Sequence, residues 1–293
     1  YRRQRQMCIR DSLGMAVFMV IYLIWFSNSL VRLKRFFLSA TVMLLFAKVL
    51  RLFSLCFDDK SKGFDKFQEI FVFSGIGWIL LAACAVITGI LYLIDYKKPN
   101  ITISKAVPIA LAVVFGFCAV AMIGIMVYFS CIDTKTDLGS FERIIRFNDI
   151  WGTHRGFMWI RSIWIFGDAS FIEKLFGVGP DMFYSAFSPY FDDLSKYGDS
   201  STNAAHNEYL NYLITIGITG LLSYLAIVCG TIKNAVKYAK ENPMLIACVS
   251  AVICYAVQAV VNLYQPITTP LFFIFIASVS YTHLRAHETS AHL

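Results

Sequence analysis

The sequence predicts an all-α fold, a polytopic helical membrane protein with a long external loop that contains short helices. Three observations predict it. Of 293 residues, 58% are hydrophobic and only 15% are charged, against about 25% charged in an average soluble domain. The apolar residues gather into seven runs, most of them near the roughly 20 residues a helix needs to cross a bilayer core. Between the fourth and fifth runs lies a mixed polar and aromatic stretch of more than 70 residues. This composition excludes a disordered tail and a nucleic-acid module, and it argues against an ordinary soluble enzyme. An enzyme working in lipid stays open. The net charge of +7 matters less than where the charges fall.

The two ends are read apart from the fold. Residues 1–12 hold Arg2, Arg3, Arg5 and Arg10, and the chain closes on SYTHLRAHETSAHL with His283, His287 and His292. Both resemble translated linker, an artefactual head (1–12) and tail (281–293). Residues 13–132 then hold four transmembrane helices, from the runs 13–31, 36–57, 70–94 and 107–132. The external loop is 133–206. Residues 207–280 hold two more transmembrane helices, from 207–232 and 244–263, and a third that starts at 270. That last run stops after 11 residues, too few to span, so the chain is expected to be a piece of a larger bundle. Only helices satisfy every backbone group of such continuous runs in hydrocarbon. Lys48 and Arg51 interrupt the second run and are expected to snorkel outward or face the bundle interior.

Orientation follows from the basic residues between runs. Arg32, Lys34 and Arg35 lie between the first and second, Lys97, Lys98 and Lys105 between the third and fourth, and Lys233, Lys237 and Lys240 between the fifth and sixth. These alternate connections share the cytoplasmic side. The balanced stretch 58–69, the uncharged QPITTP at 265–270 and the long loop 133–206 then lie outside. The cysteines show no metal-ligand spacing; most sit inside apolar runs as small packing residues, and Cys56 and Cys131 lie near the outer helix ends.

The external loop is too long for a mere connector. Between 133 and 208 it has 11 acids against seven Lys and Arg, so its cations stand out. RGFMWIRSIWIF at 155–166 predicts a helix with Arg155, Trp159, Ser162 and Phe166 on one face. Phe157, Ile160, Ile163 and Trp164 are expected along the membrane surface, where tryptophan concentrates; an interfacial helix whose arginines meet lipid phosphates accounts for the same pattern. GVGP at 177–180 is a turn. The acidic half that follows has few apolar anchors and is expected to order on binding a ligand. In STNAAHNEYLNYL at 201–213, Ser201, Thr202 or Asn203 is expected to cap the next helix. His206 then lies in or near its first turn, where the positive helix end favours a neutral imidazole able to act as a base. A histidine merely satisfied by hydrogen bonds at a helix start is the competing reading. Glu208, two residues on, faces elsewhere and is expected to pack or cap.

The blocks RGFMWIRS, LFGVGPDMF and AHNEYLNYLITIGITGLLSYL, in that order within one external loop and the helix after it, resemble the O-antigen ligase and O-antigen polymerase superfamily of polytopic bacterial membrane glycosyltransferases. The resemblance is strongest over 148–230. It implies the cytoplasmic (inner) membrane, with the loop on the periplasmic side. It also implies a polyprenyl-diphosphate-linked oligosaccharide donor, such as an undecaprenyl one, and a glycan or lipid-core acceptor, in surface polysaccharide biosynthesis. His206 matches the catalytic histidine before NEYL, Arg155 the loop arginine that contacts diphosphate, and Arg161 lies in the same block. At one place the sequence departs. The S-R-G-like motif near an earlier helix start is matched by SGIGW at 74–78, which lacks the arginine; Arg51 or Lys66 is the nearest substitute. No cofactor and no metal are implied, and no nucleic acid.

Diphosphate is already a stable leaving group, so such a site has to place it and neutralise its charge. The arginine fork suits that task, and a neutral histidine can accept the acceptor hydroxyl proton. No carboxylate pair suggests glycosidase chemistry. Two other classes fit the spans. A lipid-linked glycan transporter or flippase would favour broken helices and midplane charges, whereas here intramembrane charge is confined to Lys48 and Arg51. A noncatalytic glycan-binding scaffold would leave Arg155 and His206 dispensable. A peptidoglycan polymerase of similar topology, the nearest enzymatic rival, would use an external carboxylate more prominently.

Overall fold

The computed structural model describes residues 2–56, 74–98, 101, 103–238 and 244–291. All regular structure among them is helical. Each of the seven apolar runs contributes a helix, and three helices are long and apolar enough by themselves to cross a membrane: Gly75–Lys97, Ala106–Ile132 and Gly217–Tyr238. The described chain forms two compact units, 1–118 and 119–293.

In the first unit, α1 (Arg2–Phe26) meets α2 (Leu30–Cys56) through Tyr22 stacked on Phe36 at 5.2 Å. The cations Arg32, Lys34 and Arg35, read as a loop, fall instead in the first turns of α2, because the chain turns tightly at 27–29. The partner of α2 is α3 (Gly75–Lys97). The two are pinned by Lys34 to Asp95 at 2.5 Å and by the Thr41 and Thr88 hydroxyls at 3.2 Å. Lys48 takes the interior alternative. It is buried, donates to the Ser74 carbonyl at 3.3 Å and lies 5.0 Å from the Trp78 ring centre.

Helix α4 (Ala106–Val127) ends in a π turn, Tyr128–Ile132. Arg146 staples the chain after it: its Nε donates to the Phe129 carbonyl at 3.0 Å and its Nη2 to that of Thr136 at 2.7 Å. Its Nη1 pairs with Glu142, in the one-turn helix α5 (Glu142–Ile145).

The segment 133–206 is folded rather than loop-like. It contains α6 (Trp151–Asp168), α7 (Phe171–Phe176), α8 (Phe183–Phe187) and α9 (Phe191–Ser195). Phe157, Met158, Phe183, Phe187, Leu194 and Ala205 form its core together with Ile214. Two expectations change here. Phe157 belongs to that core, not to a membrane-facing stripe, although Ile163 and Trp164 are exposed. The acidic half is anchored as well, by fully buried Leu194 and Ala205. Leu194 stands between polar neighbours and Ala205 is small, so neither makes a helical period of large apolar residues.

The run from 207 is two helices, α10 (Glu208–Thr215) and α11 (Gly217–Tyr238). The spanning helix therefore starts at Gly217. The break is fixed by the 177–180 turn docking against it. Val178 N–H donates to the Ile214 carbonyl at 2.9 Å and Gly179 N–H to that of Thr215 at 3.0 Å. Both strands of this contact need glycine. Gly177 has φ +76 and Gly217 φ +68. A Cβ at Gly217 would stand 2.3 Å from the Leu175 carbonyl oxygen, and one at Gly177 2.3 Å from backbone atoms of Thr215. Helix α11 then packs on α12 (Met244–Ala259) and α13 (Thr268–Ala291) through Tyr224, Val228, Val252, Phe272 and Ile276.

Gly217→Ala and Gly177→Ala are expected to lower the thermal transition of the detergent-solubilised protein. The positive φ alone costs about 1–3 kcal/mol, and the backbone clash adds to it. Gly124→Ala, which faces open space inside α4, should leave the transition in place.

Candidate active site

The start of α6 is built under constraint. Trp151 N–H donates to the Asn148 carbonyl at 3.0 Å, and the Trp151 indole to that of Ile144 at 2.8 Å. Gly156 then passes so close to Asn148 that a Cβ would lie 1.9 Å from its carbonyl oxygen. Within this tight start Gly152 has φ +57 and His154 φ +71. A left-handed histidine costs about 1–3 kcal/mol and marks the kind of position where sites store strain. Arg155 follows and is buried.

Asp149 organises the neighbourhood. Its Oδ1 pairs with Arg161 Nη1 at 2.5 Å, and its Oδ2 accepts from the Tyr197 hydroxyl at 3.3 Å. Burial and the Asp149 charge push the Tyr197 hydroxyl up, so it stays a donor. The Tyr197 ring lies 4.7 Å from His154 and 5.3 Å from Phe157, centre to centre. The Arg161 guanidinium is also 4.1 Å from the Phe157 ring centre and 4.7 Å from that of Trp164. Its charge is thus engaged by a carboxylate and two aromatic faces.

His206 comes from the other side of the segment, immediately before α10. The cap is Asn207, whose Oδ1 accepts from Leu210 N–H at 3.0 Å. Ser201, Thr202 and Asn203 do not cap it. Thr202 closes a turn of its own, donating to the Ala204 carbonyl at 2.8 Å. His206 therefore stands just outside the helix, half-buried, with φ +51. Its imidazole is held neutral, the pKa pushed down to about 4. Burial is the main cause and the nearby Arg155 charge the second, with Asp199 opposing. The neutral histidine anticipated from a helix end is thus neutral for different reasons. Arg155 and His206, 51 positions apart in the sequence, are electrostatic neighbours.

Glu208 is fully buried. Its oxygens accept from the Tyr212 hydroxyl at 2.9 Å and the Tyr255 hydroxyl at 3.1 Å. Tyr255 is also 2.7 Å from the Thr269 hydroxyl, which accepts from Gln265 N–H. Burial pushes the Glu208 carboxyl up, against the hydrogen bonds of its tyrosines. This chain of bonds ties the start of α10, and so the residue after the His206–Asn207 pair, to α12 and α13.

Sequence reading missed Asp149, His154, Tyr197 and Asp199, because they lie in no motif and meet only in the folded segment. At SGIGW, Lys48 donates to the Ser74 carbonyl; Lys66 lies outside the described residues. Among the described residues no three His, Cys, Asp or Glu side chains are grouped as a metal ion would need.

Helices able to cross a membrane, with a folded polar segment between two of them, define a polytopic membrane protein. The O-antigen ligase family model matches residues 70–225, more than half of the 293-residue chain, and the chain belongs to that family. The match takes in Arg155, Arg161 and His206 and assigns the protein an O-antigen ligase-type role in surface glycan assembly. No curated protein and no solved structure matches the chain.

Glu208→Ala is expected to destabilise the protein by about 3 kcal/mol or more, since it removes two buried hydrogen bonds, those from Tyr212 and Tyr255, and leaves a cavity in their place. Glu208→Gln, which keeps the volume and one acceptor, should lose much less in the same thermal-unfolding assay.

Proposed function

We propose that the protein transfers glycan from a polyprenyl-diphosphate carrier to a glycan or lipid-core acceptor, on the external face of the cytoplasmic membrane. The observation that carries this reading is a neutral, half-buried His206 beside the buried Arg155, inside the matched family region. The acceptor hydroxyl attacks the anomeric carbon as the bond from that carbon to the diphosphate oxygen breaks. His206 takes the hydroxyl proton, and the carrier leaves as polyprenyl diphosphate. Arg155 contacts the diphosphate and neutralises its growing charge. Arg161 joins it at the phosphate with the donors that Asp149 leaves unused, held in place by Asp149, Phe157 and Trp164.

A base with a pKa near 4 looks weak, but the donor itself corrects it. Bound diphosphate neutralises Arg155 and adds negative charge, and both effects raise the His206 pKa toward the working pH. Because arginine handles the leaving-group charge, transfer is expected to need no added metal and to survive a chelator.

The test is transfer in reconstituted membranes with a polyprenyl-diphosphate oligosaccharide, the products being resolved by size and by acceptor. A ladder of longer lipid-linked chains identifies a polymerase, and single-step capture on a supplied acceptor a ligase. His206→Ala and Arg155→Ala should each slow transfer by about 10²–10⁴-fold with membrane insertion unchanged. Donor binding without turnover in the wild type would favour a flippase or scaffold instead.

The pH profile adds a second check. His206 loses its function as a base when protonated, so kcat/KM should fall as pH drops through about 4, the free-site value, and kcat should fall as pH drops through a higher midpoint, that of the donor-bound site. Stability has its own window. Unfolded histidine takes its proton near pH 6.5 and the folded one only near 4, so stability should decline as pH falls between them. His206→Gln should flatten that decline.

A further inference from the structure

Helix α7 presents its apolar side outward. In FIEKLF, at about 100° per residue, Phe171, Leu175, Ile172 and Phe176 fill one arc of about 140°, with Glu173 and Lys174 on the other side. Globular packing would bury that arc. Here Phe171 is 76% exposed, Ile172 70% and Phe176 64%. Neither end of the helix is loose. Ser170 and Glu173 form a reciprocal capping box, Lys174 Nζ donates to the Gly167 carbonyl at 2.7 Å, and Gly177 N–H donates to that of Glu173 at 2.7 Å. The outward arc is therefore a fixed surface.

The spanning helix shows what meets it. Thr219, in the first turn of α11, donates its hydroxyl to the Leu175 carbonyl at 2.7 Å, and Gly217 packs on the Leu175–Phe176 backbone. Helix α11 has 22 residues, about 33 Å at a rise of 1.5 Å, which closely matches the roughly 30 Å hydrocarbon core. Its first turn thus marks the boundary between acyl chains and headgroups, and α7 is bonded to that turn. The outward apolar side chains of α11, Ile218 and Leu222, are themselves exposed in the chain, as lipid-facing residues are.

We infer that α7 is an interfacial membrane anchor: Phe171, Ile172 and Phe176 insert at the acyl–headgroup boundary of the phospholipid bilayer, beside the first turn of α11. The anchor fixes the height of the folded segment above the bilayer, because α7 follows directly on α6 and the 177–180 turn runs from it to the base of α10. It rests on the spanning character of α11 and is independent of glycan transfer.

Depth-resolved fluorescence quenching tests it. Ile172→Trp and Phe176→Trp, made separately in the full chain, place an added indole where an exposed side chain already stands, so the fold should accept it. Each is reconstituted in phosphatidylcholine–phosphatidylglycerol vesicles, and the emission of the wild type, with its five native tryptophans, is subtracted. The expected result is a blue-shifted added emission, quenched more by lipids brominated near the glycerol end of the acyl chain than by those brominated near the midplane, and shielded from aqueous acrylamide. Quenching by acrylamide and not by brominated lipid would overturn the inference in favour of water or a soluble partner. Resistance to both would overturn it in favour of a second copy of the chain, and stronger midplane quenching would overturn an interfacial depth. A wild type inactive in transfer would leave this readout unaffected.

Discussion

The backbone contact between the 177–180 turn and the break between α10 and α11 governs the second unit. Two amide hydrogen bonds and two left-handed glycines end α10 at Thr215 and start the spanning helix at Gly217. A continuous helix from 207 would place Glu208 and its tyrosines at the outer end of a spanning segment. With the break, α10 becomes a separate short helix that joins the core of the preceding segment through Ile214. The polar chemistry is thereby kept out of hydrocarbon, where an unpaired charge is expensive. The apolar length left for α11 still suffices to cross.

On that frame the site is held by two kinds of constraint. One is backbone strain: His154 and His206 both take positive φ, conformations that persist only where the surroundings over-determine them. The other is buried polar bonding. Asp149 binds Arg161 and Tyr197 on one side, and Glu208 binds Tyr212 and Tyr255 on the other. Each carboxylate locks a helix start, α6 in the first case and α10 in the second. Arg155 and His206 belong to these two starts, one in the first turns of α6 and the other just before α10.

Much of this was legible. The seven runs are helical because continuous apolar sequence has one economical solution in lipid. The order of the RGF, GVGP and HNEYL blocks led to the family and to Arg155 and His206. Three readings needed the fold. Phe157 was assigned to the membrane surface by spacing, yet it is the ring on which Arg161 and Tyr197 both pack; a helical period gives a face but not what the face meets. The cap of α10 was placed among Ser201, Thr202 and Asn203, and the chain uses Asn207, the last of several equally good capping residues. The acidic stretch looked unanchored because its anchors, Leu194 and Ala205, are few and far apart in sequence.

The sequence by itself determined the solvent, the helical class and the residue types able to handle a diphosphate, since these follow from composition and from local patterns of length and charge. Only the tertiary structure decided where the spanning helix begins, why His206 is neutral and that Lys48 turns inward onto Ser74. Those outcomes depend on burial and on distances between residues far apart in the chain, such as Gly177 against Thr215, Arg155 beside His206 and Lys48 on Ser74, and no local pattern encodes such distances.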